Sequence, residues 1–289
     1  MTAGCDAGQA VLLTGASGRL GRRLVRPLGA AGLVLRLTDR TPFPDPVPAA
    51  ASFTQAELGD PDRIMSLAQG CRAILHFGGI PNEKPGFEAI LDANLRGTFH
   101  IFEAARKAGA RVIFASSNHV IGFHARPGAG GPKLASDCAY RPDTLYGLSK
   151  VYGEQLGRLY WDKHGVESVH VRIGTCTDEP ENARALSTWL SPVDLAGLCL
   201  AAIKAPRTGW AVIWGASANP ASFWGADDRA VIDWTPQDSA EPWRARLIDV
   251  VRDDPVAEQF QGGSFCSLGM TLPGSTSDHG DEIGNQGRL

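Results

Sequence analysis

The chain has 289 residues, of which 43% are hydrophobic and 20% are charged, and its formal net charge is −3. This composition is typical of a globular protein and excludes an intrinsically disordered chain. The slightly acidic balance argues against a protein whose main partner is a nucleic acid, because such proteins usually carry a basic face. The length fits one large domain or two closely joined domains.

Targeting and cysteine patterns bear on compartment and metal content. Residues 1–9 lack the basic and apolar regions of a signal peptide, and the apolar run at residues 195–203 is too short to span a bilayer. The six cysteines include no Cys-x-x-Cys pair, and cysteines and histidines show no zinc-site spacing. We therefore expect a cytoplasmic protein with reduced thiols, without a membrane segment, a nucleic-acid partner or a bound metal.

Short apolar segments alternate with helix-like segments in the first half of the chain. Continuous apolar character without alternation is typical of parallel strands that are buried on both faces. Such predicted strands occupy residues 10–14, 34–39, 73–77, 111–116 and 168–173. Between the third and fourth strands, Leu91, Leu95, Phe99 and Phe102 recur at helical spacing, and Gly109 can end that helix. The alternation predicts an α/β fold with a Rossmann-type, doubly wound parallel sheet.

The texture of the sequence changes after Ile173. Six of the seven tryptophans lie beyond residue 188, among several Pro and Asp residues. We predict an NAD-binding Rossmann domain over residues 1–173 and a smaller C-terminal substrate-binding region over residues 174–271. Residues 272–289 are rich in Gly, Ser, Asp and Asn and have little to bury, so we expect a disordered tail.

A glycine-rich loop, T-G-A-S-G-R-L-G, follows the first predicted strand and opens a helix. Its glycines, Gly15, Gly18 and Gly21, allow a tight turn and a close approach of the backbone to a pyrophosphate. Arg19 and Leu20 begin the helix, whose free N–H groups and dipole favour an anion. We assign all five residues to dinucleotide binding; the structural alternative is an ordinary glycine turn.

Asp39 ends the second predicted strand. A carboxylate in this place can accept both ribose hydroxyls of NAD and repels the 2′-phosphate of NADP. Arg40 follows directly and could pair with such a phosphate. The residues therefore favour NAD without excluding NADP.

Tyr146 and Lys150 are four residues apart, so in a helix they share one face. An adjacent ammonium group favours the phenolate and should lower the pKa of the tyrosine, which makes it a general base for an alcohol. Ser117 lies at the end of a predicted strand, at the edge where open α/β sheets bind ligands, and can hold the substrate oxygen. Asn94 could support a water or a carbonyl next to Lys150. The alternative for Tyr146 and Lys150 is a surface tyrosine with a solvated lysine. The alternative for Asn94 is an ordinary polar residue of a helix.

Together these motifs resemble the extended short-chain dehydrogenase/reductase superfamily. The adenine-binding Asp-Leu of that superfamily is Glu57-Leu58 here. More specific blocks resemble NAD-dependent uronate dehydrogenases over about residues 10 to 266. They include H-F-G-G-I at 76–80, F-A-S-S-N-H-V-I-G at 114–122 and V-R-I-G-T-C-T at 171–177. The resemblance implies oxidation of the C1 hydroxyl of glucuronate or galacturonate to an aldarolactone, with NAD as acceptor, in a homo-oligomer.

The resemblance also implies roles for individual residues. Tyr146 takes the hydroxyl proton, Lys150 keeps Tyr146 acidic and holds the nicotinamide ribose, and Ser117 orients the hydroxyl. Arg184 is expected to grip the sugar carboxylate, since arginine can hold such a group with two parallel hydrogen bonds. The further cofactor residues are Asp39, Glu57, Leu58, Phe77, Gly78, Gly79, Asn94, Tyr146 and Lys150. The substrate residues are Ser117, Asn118, His119, Thr175 and Arg184.

Two positions depart from the family pattern. Thr175 replaces a substrate serine and keeps the hydroxyl, whereas Pro81 replaces another serine and removes a side-chain hydrogen bond. A buried core histidine remains the alternative for His119, and a surface ion pair remains the alternative for Arg184.

Two other functions share part of this pattern. A nucleotide-sugar epimerase or dehydratase has the same superfamily motifs, but it needs a larger C-terminal region to hold a nucleotide diphosphate. A non-catalytic NAD-sensing protein would keep the glycine loop, but nothing would require it to keep Ser117, Tyr146 and Lys150 together. The sequence therefore favours a dehydrogenase that acts on a small, free sugar acid.

Overall fold

The protein is described by a computed structural model over residues 10–81, 86–128, 131–252 and 254–270. Its centre is a parallel sheet of seven strands in the order β3-β2-β1-β4-β5-β6-β9. These strands are β1 (Ala10–Thr14), β2 (Val34–Asp39), β3 (Ala51–Gln55), β4 (Cys71–His76), β5 (Arg111–Ser117), β6 (Ser168–Ile173) and β9 (Trp210–Gly215). The predicted doubly wound α/β fold is confirmed. The tail predicted over residues 272–289 lies outside the described residues.

Helices cover both faces of the sheet. The helices of the described residues are α1 (Arg19–Ala30), α2 (Pro61–Ala68), α3 (Gly86–Ile90), α4 (Gly97–Ala108), α5 (Leu145–His164), α6 (Ala185–Thr188), α7 (Pro192–Lys204) and α8 (Arg244–Leu247). Helices α1 and α7 bury their apolar side chains with one face of the sheet, and α2, α4 and α5 do so with the other. No helix among the described residues has the length and apolar character needed to cross a bilayer.

The helix predicted before Gly109 ends where expected, but the residues it buries are not all those that the helical spacing predicts. Gly109 ends α4 in a left-handed conformation with φ of 67°. A π-helical turn, Leu91–Arg96, precedes α4 and shifts the residues that face the protein. Asn94 and Phe102 are therefore buried, whereas Phe99 is exposed.

Helix α5 carries the predicted Tyr146 and Lys150, and its start is fixed by sequence. Thr144 caps the helix by accepting a hydrogen bond from the Gly147 N–H at 3.0 Å. Gly165 ends it in a left-handed conformation. This start places the first turn of α5 beside Asn118–Ile121, the 3₁₀ turn that follows β5.

The described part of the predicted C-terminal region, residues 174–252 and 254–270, contributes both to the sheet and to the loops at its carboxyl edge. Strand β9, which the sequence analysis did not predict, pairs with β6 so that Gly215 lies opposite Ile173. Just after β6, a two-stranded sheet forms between β7 (Thr175–Cys176) and β8 (Trp189–Leu190). The chain therefore comes back to the edge where β5 and β6 end at two places, first at β8 and then at the end of β9.

Candidate active site

The glycine loop fits closely against the end of β4. Gly15 has φ of +69°, and a Cβ atom there would lie 2.5 Å from the backbone of Phe77 and Gly78. A Cβ on Gly21 would lie 2.1 Å from the carbonyl oxygen of Gly15. Only glycine permits this approach of loop, helix and strand end, as the dinucleotide-binding motif requires.

A cavity of about 770 Å³ opens between this loop and the carboxyl ends of the neighbouring strands. The predicted cofactor residues that line it are Gly15, Gly18, Asp39, Glu57, Leu58, Phe77, Gly78 and Gly79. Pro81, the position that departs from the family serine, and Arg40 also line this cavity. Its size and its glycine floor suit an elongated ligand such as a dinucleotide.

The carboxylate of Asp39 is held in a defined orientation at this cavity. It accepts hydrogen bonds from the N–H of Ser17 at 3.0 Å and from the N–H of Thr41 at 3.1 Å. The acidic group is therefore fixed at the end of β2, where it can meet a ribose and where a 2′-phosphate would be repelled.

Two predicted cofactor residues have side chains that point elsewhere. Arg19 lines a separate cavity with Arg23 and the loop at residues 177–181, and Leu20 packs against the apolar core. Any contact of Arg19 and Leu20 with a dinucleotide would therefore come from their backbone N–H groups at the start of α1.

Tyr146 and Lys150 share one face of α5, as predicted. The Nζ atom of Lys150 lies 5.6 Å from the centre of the Tyr146 ring and 4.9 Å from that of Phe114. Burial lowers the pKa of Lys150 to about 8. Burial raises the pKa of Tyr146 to about 12; the charge of Asp143 acts in the same direction, and a hydrogen bond with Ser117 opposes it. The predicted lowering of the tyrosine pKa is therefore wrong for this structure, because burial of the phenol outweighs the neighbouring groups.

Asn94 braces the site from the π-helical turn. Its side-chain oxygen accepts from the Ile80 N–H at 2.7 Å, and its amide donates to the Ile80 carbonyl at 3.0 Å and to Ser149 Oγ at 2.9 Å. Asn94 thus ties the chain after β4 to α5, next to Lys150. A Cβ atom on Gly79 would lie 2.9 Å from the Asn94 oxygen and 4.0 Å from Lys150 Nζ.

A second group of predicted residues meets around Arg184. Nη1 of Arg184 lies 3.5 Å from Thr175 Oγ1. With the Asn118 amide turned to the orientation that satisfies both of its polar atoms, Nη2 of Arg184 donates to the Asn118 oxygen at 2.9 Å. The amide of Asn118 donates to the Ile173 carbonyl at 3.1 Å. Nε of Arg184 donates to the Gln261 carbonyl at 3.0 Å. The guanidinium is therefore held at the end of β6 with its plane fixed.

The third predicted group lies directly after β5. The backbone N–H of His119 donates to Ser117 Oγ at 3.2 Å, and Nδ1 of His119 lies 2.6 Å from Asp143 Oδ2. The imidazole stacks on Phe265 with ring centres 4.1 Å apart and lies 5.9 Å from the Tyr146 ring centre. Ser117 and His119 therefore adjoin the tyrosine predicted as base.

This chain is similar to proteins of known family. The sequence model of the NAD dependent epimerase/dehydratase family matches residues 11–177. Uronate dehydrogenase from Pseudomonas syringae pv. tomato is 42% identical over 90% of this chain and 94% of that protein. The corresponding enzyme from Agrobacterium fabrum is 43% identical over 88% of this chain and 96% of that protein. This chain belongs to the uronate dehydrogenase family.

Solved structures of the uronate dehydrogenase family agree with this fold. The crystal structure of a uronate dehydrogenase mutant from Agrobacterium tumefaciens complexed with NAD is 42% identical, with a TM-score of 0.83, over 90% of this chain and 97% of that one. A glucuronic acid dehydrogenase from Chromohalobacter salexigens is 38% identical, with the same TM-score and the same coverage of both chains. The family resemblance derived from the sequence is confirmed.

Three residues that contact the site were not predicted. Asp143 directly precedes Thr144, the N-cap of α5, and its sequence context indicates only a turn residue. Gln261 lies in the Phe-Gln-Gly-Gly block at residues 260–263, which also resembles the family but carries no site role in the sequence analysis, and Phe265 follows that block. Among the described residues, no group of three or more His, Cys, Asp or Glu side chains is arranged to hold a metal ion.

Proposed function

We propose that this protein oxidises the C1 hydroxyl of hexuronic acids, glucuronate or galacturonate, to the corresponding aldarolactones with NAD as acceptor. The observation that carries the proposal is the position of Arg184. This residue contacts Thr175 and Asn118 at the sheet edge where β5 ends in Ser117, and Ser117 in turn forms a hydrogen bond with Tyr146. A uronate has a planar carboxylate at one end and a reactive hydroxyl at the other. Holding both ends would place the reacting carbon in one geometry.

In this reaction the chain supplies binding, orientation and proton transfer. When bound, NAD accepts the hydride from C1. Ser117 donates to or accepts from the C1 hydroxyl and sets its direction, and Tyr146 takes the hydroxyl proton. Burial raises the pKa of Tyr146 to about 12. In the proposed reaction, the buried ammonium of Lys150 favours the phenolate of Tyr146 once NAD and the uronate are bound.

Asp39 determines the cofactor preference in this proposal. Its fixed carboxylate suits the free ribose hydroxyls of NAD. Reduction of NAD should therefore be fast with glucuronate or galacturonate. Reduction should be slow when NADP replaces NAD or when glucose or galactose replaces the uronate. Conversion of nucleotide sugars without net formation of NADH, together with no NADH formation from free uronates, would instead support the epimerase or dehydratase alternative.

If Arg184 holds the carboxylate of the uronate with two parallel hydrogen bonds, an arrangement called the carboxylate clamp below, Arg184→Lys should weaken substrate binding. The variant keeps the charge but loses the planar fork, so we expect the KM for uronates to rise about 10- to 100-fold while kcat changes less. Initial rates of NADH formation over a range of uronate concentrations give both constants.

The control for this experiment is Arg26→Lys, an exposed arginine on α1 away from the site. Its KM should equal that of the parent protein. An unchanged KM in Arg184→Lys would contradict the clamp, and an equal rise with a neutral hexose would show that Arg184 does not read the carboxylate.

We also propose that the protein forms a homo-oligomer through α4 and α5. Phe99 on α4 and Leu148 and Leu159 on α5 are 43%, 51% and 45% exposed. Leu148 and Leu159 lie three helical turns apart on one face, so they form an apolar stripe that a second copy of the chain could cover.

Light scattering after size-exclusion chromatography tests this interface. Leu148→Glu with Leu159→Glu should give a smaller mass than the parent protein, because two buried charges would oppose association. Val193→Glu is the control, since Val193 is 69% exposed on α7, in the opposite layer. A parent-like mass for the double variant would place the interface elsewhere.

A further inference from the structure

Asp143 is a buried carboxylate at the substrate end of the site that the reaction described above does not use. Its side chain has no exposed surface, and its Oδ2 atom lies 2.6 Å from Nδ1 of His119. Its other oxygen accepts from the hydroxyl of Thr144 at 3.0 Å. A buried carboxylate is costly unless its partners repay the desolvation, so this pairing calls for an explanation.

The chain forms a close-fitting cavity for this carboxylate. A Cβ atom on Gly122 would lie 1.9 Å from Asp143 Oδ2, and one on Gly262 would lie 2.0 Å from the same oxygen. A Cβ atom on Gly147 would lie 3.1 Å from Oδ1. The backbone at Gly122 and Gly262 therefore approaches the carboxylate more closely than a residue with a Cβ atom would allow. These two segments are joined, because the Gly262 N–H donates to the Gly122 carbonyl at 2.9 Å.

The imidazole of His119 is fixed from several sides. Phe265 stacks on its face, the Tyr146 ring lies at its edge, and its side chain is only 13% exposed. A neutral imidazole whose Nδ1–H donates to a carboxylate has an unprotonated Nε2. That nitrogen can only accept, and its natural partner in a sugar site is a hydroxyl group.

We infer that Asp143 is a positioning residue for substrate recognition. It holds His119 in the tautomer protonated at Nδ1 and fixes the ring plane, so that Nε2 accepts a hydrogen bond from a hydroxyl of the sugar. The inference rests on the proposed function for the identity of the ligand. It assigns to the chain a buried carboxylate–imidazole pair that orients the sugar ring, separate from the arginine that reads the carboxylate.

A double-mutant cycle tests whether Asp143 acts through His119. Asp143→Asn keeps the shape of the side chain but removes the charge, and its amide can turn either its oxygen or its NH₂ group toward the imidazole. We expect kcat/KM with glucuronate to fall about tenfold in the parent background. In a His119→Ala background the same substitution should change kcat/KM less than twofold.

A merely structural role gives a different pattern. If Asp143→Asn lowers kcat/KM by the same factor in both backgrounds, Asp143 does not act through His119 and the inference is overturned. The melting temperature and the affinity for NADH, measured on all four proteins, show whether any loss comes from folding or from the cofactor site.

The tautomer of His119 can be measured without Asp143 variants and without catalysis. The ¹⁵N shifts of its ring nitrogens, assigned by comparison with His119→Ala, should show a protonated Nδ1 and an unprotonated Nε2 in the ligand-free protein. Protonation at Nε2 alone would overturn the inference. If the parent protein forms no NADH with uronates while His119 shows the expected tautomer, the fault lies with the proposed function and not with the carboxylate–imidazole pair.

Discussion

Tyr146→Phe should lower kcat for uronate oxidation by about 10²- to 10⁴-fold, the usual contribution of a positioned general base. Phenylalanine keeps the ring that faces His119 and Lys150 and removes only the hydroxyl that bonds with Ser117. Binding of NADH, followed by its fluorescence, should change little. The loss should therefore appear in the chemical step.

The matched control is Tyr152→Phe, which removes a phenol hydroxyl from the same helix at a position packed against the core formed with α4. Its kcat should stay within a small factor of the parent value. Parent-like turnover in Tyr146→Phe would show that Tyr146 is not the general base. His119, whose ring lies beside that of Tyr146, would then be the next candidate for that role.

The fold could be predicted from sequence because its determinants are local. The glycine loop, Asp39 and the buried apolar strands each carry a signal over a few residues, and parallel strands bring their carboxyl ends to one edge. Strands β3 and β9 escaped prediction. Strand β3 alternates apolar with polar residues at an edge of the sheet, and β9 lies in a region rich in tryptophan and proline.

Much of the site could be predicted for the same reason, and the rest depends on distant contacts. Ser117 and Tyr146 belong to short motifs. Gln261 and Phe265 reach the site from the far end of the described chain, and no local pattern connects them with Arg184 or His119. The direction of the Tyr146 pKa shift was also beyond the sequence, since it depends on burial, which only the packed structure defines.

A buried ion pair anchors α5, the helix that carries Tyr146 and Lys150, and its loss should have the largest effect on stability. Glu154 lies one turn beyond Lys150 on the same face of α5, and it pairs with Arg172 of β6 at 2.8 Å. Both side chains are at most 1% exposed. Ser116 and Tyr140 donate further hydrogen bonds to the Glu154 carboxylate, at 2.5 and 3.0 Å. The ion pair joins α5, which carries Tyr146, to β6, and the Ser116 hydrogen bond joins the same helix to β5.

The pKa of Glu154 reflects these partners. Burial acts to raise it, but the hydrogen bonds and charge of Arg172 prevail and the pKa lies below its ordinary value. A carboxyl group with a lowered pKa in the folded state stabilises the protein at neutral pH, and this contribution is lost as the pH falls through the folded-state pKa. The pair should therefore hold at the pH where the enzyme works.

Arg172→Met should lower the free energy of unfolding by about 3–5 kcal/mol, because it leaves a buried carboxylate without its cation. Denaturant unfolding at neutral pH measures this loss. The deficit should shrink as the pH falls, since the unpaired Glu154 can then take up a proton. Arg22→Met, which breaks an exposed ion pair with Asp45, is the control and should leave stability nearly unchanged.

The double variant Glu154→Leu with Arg172→Met separates the cost of an unpaired charge from the worth of the pair. Replacement of a buried pair by apolar side chains is often close to neutral, so the double variant should be more stable than Arg172→Met alone. Its kcat then reports whether the pair also positions Tyr146 and Lys150. Recovered stability with reduced kcat would assign the pair to helix placement, whereas a double variant no more stable than the single one would show that loss of the hydrogen bonds from Ser116 and Tyr140 to Glu154 costs as much as the unpaired charge.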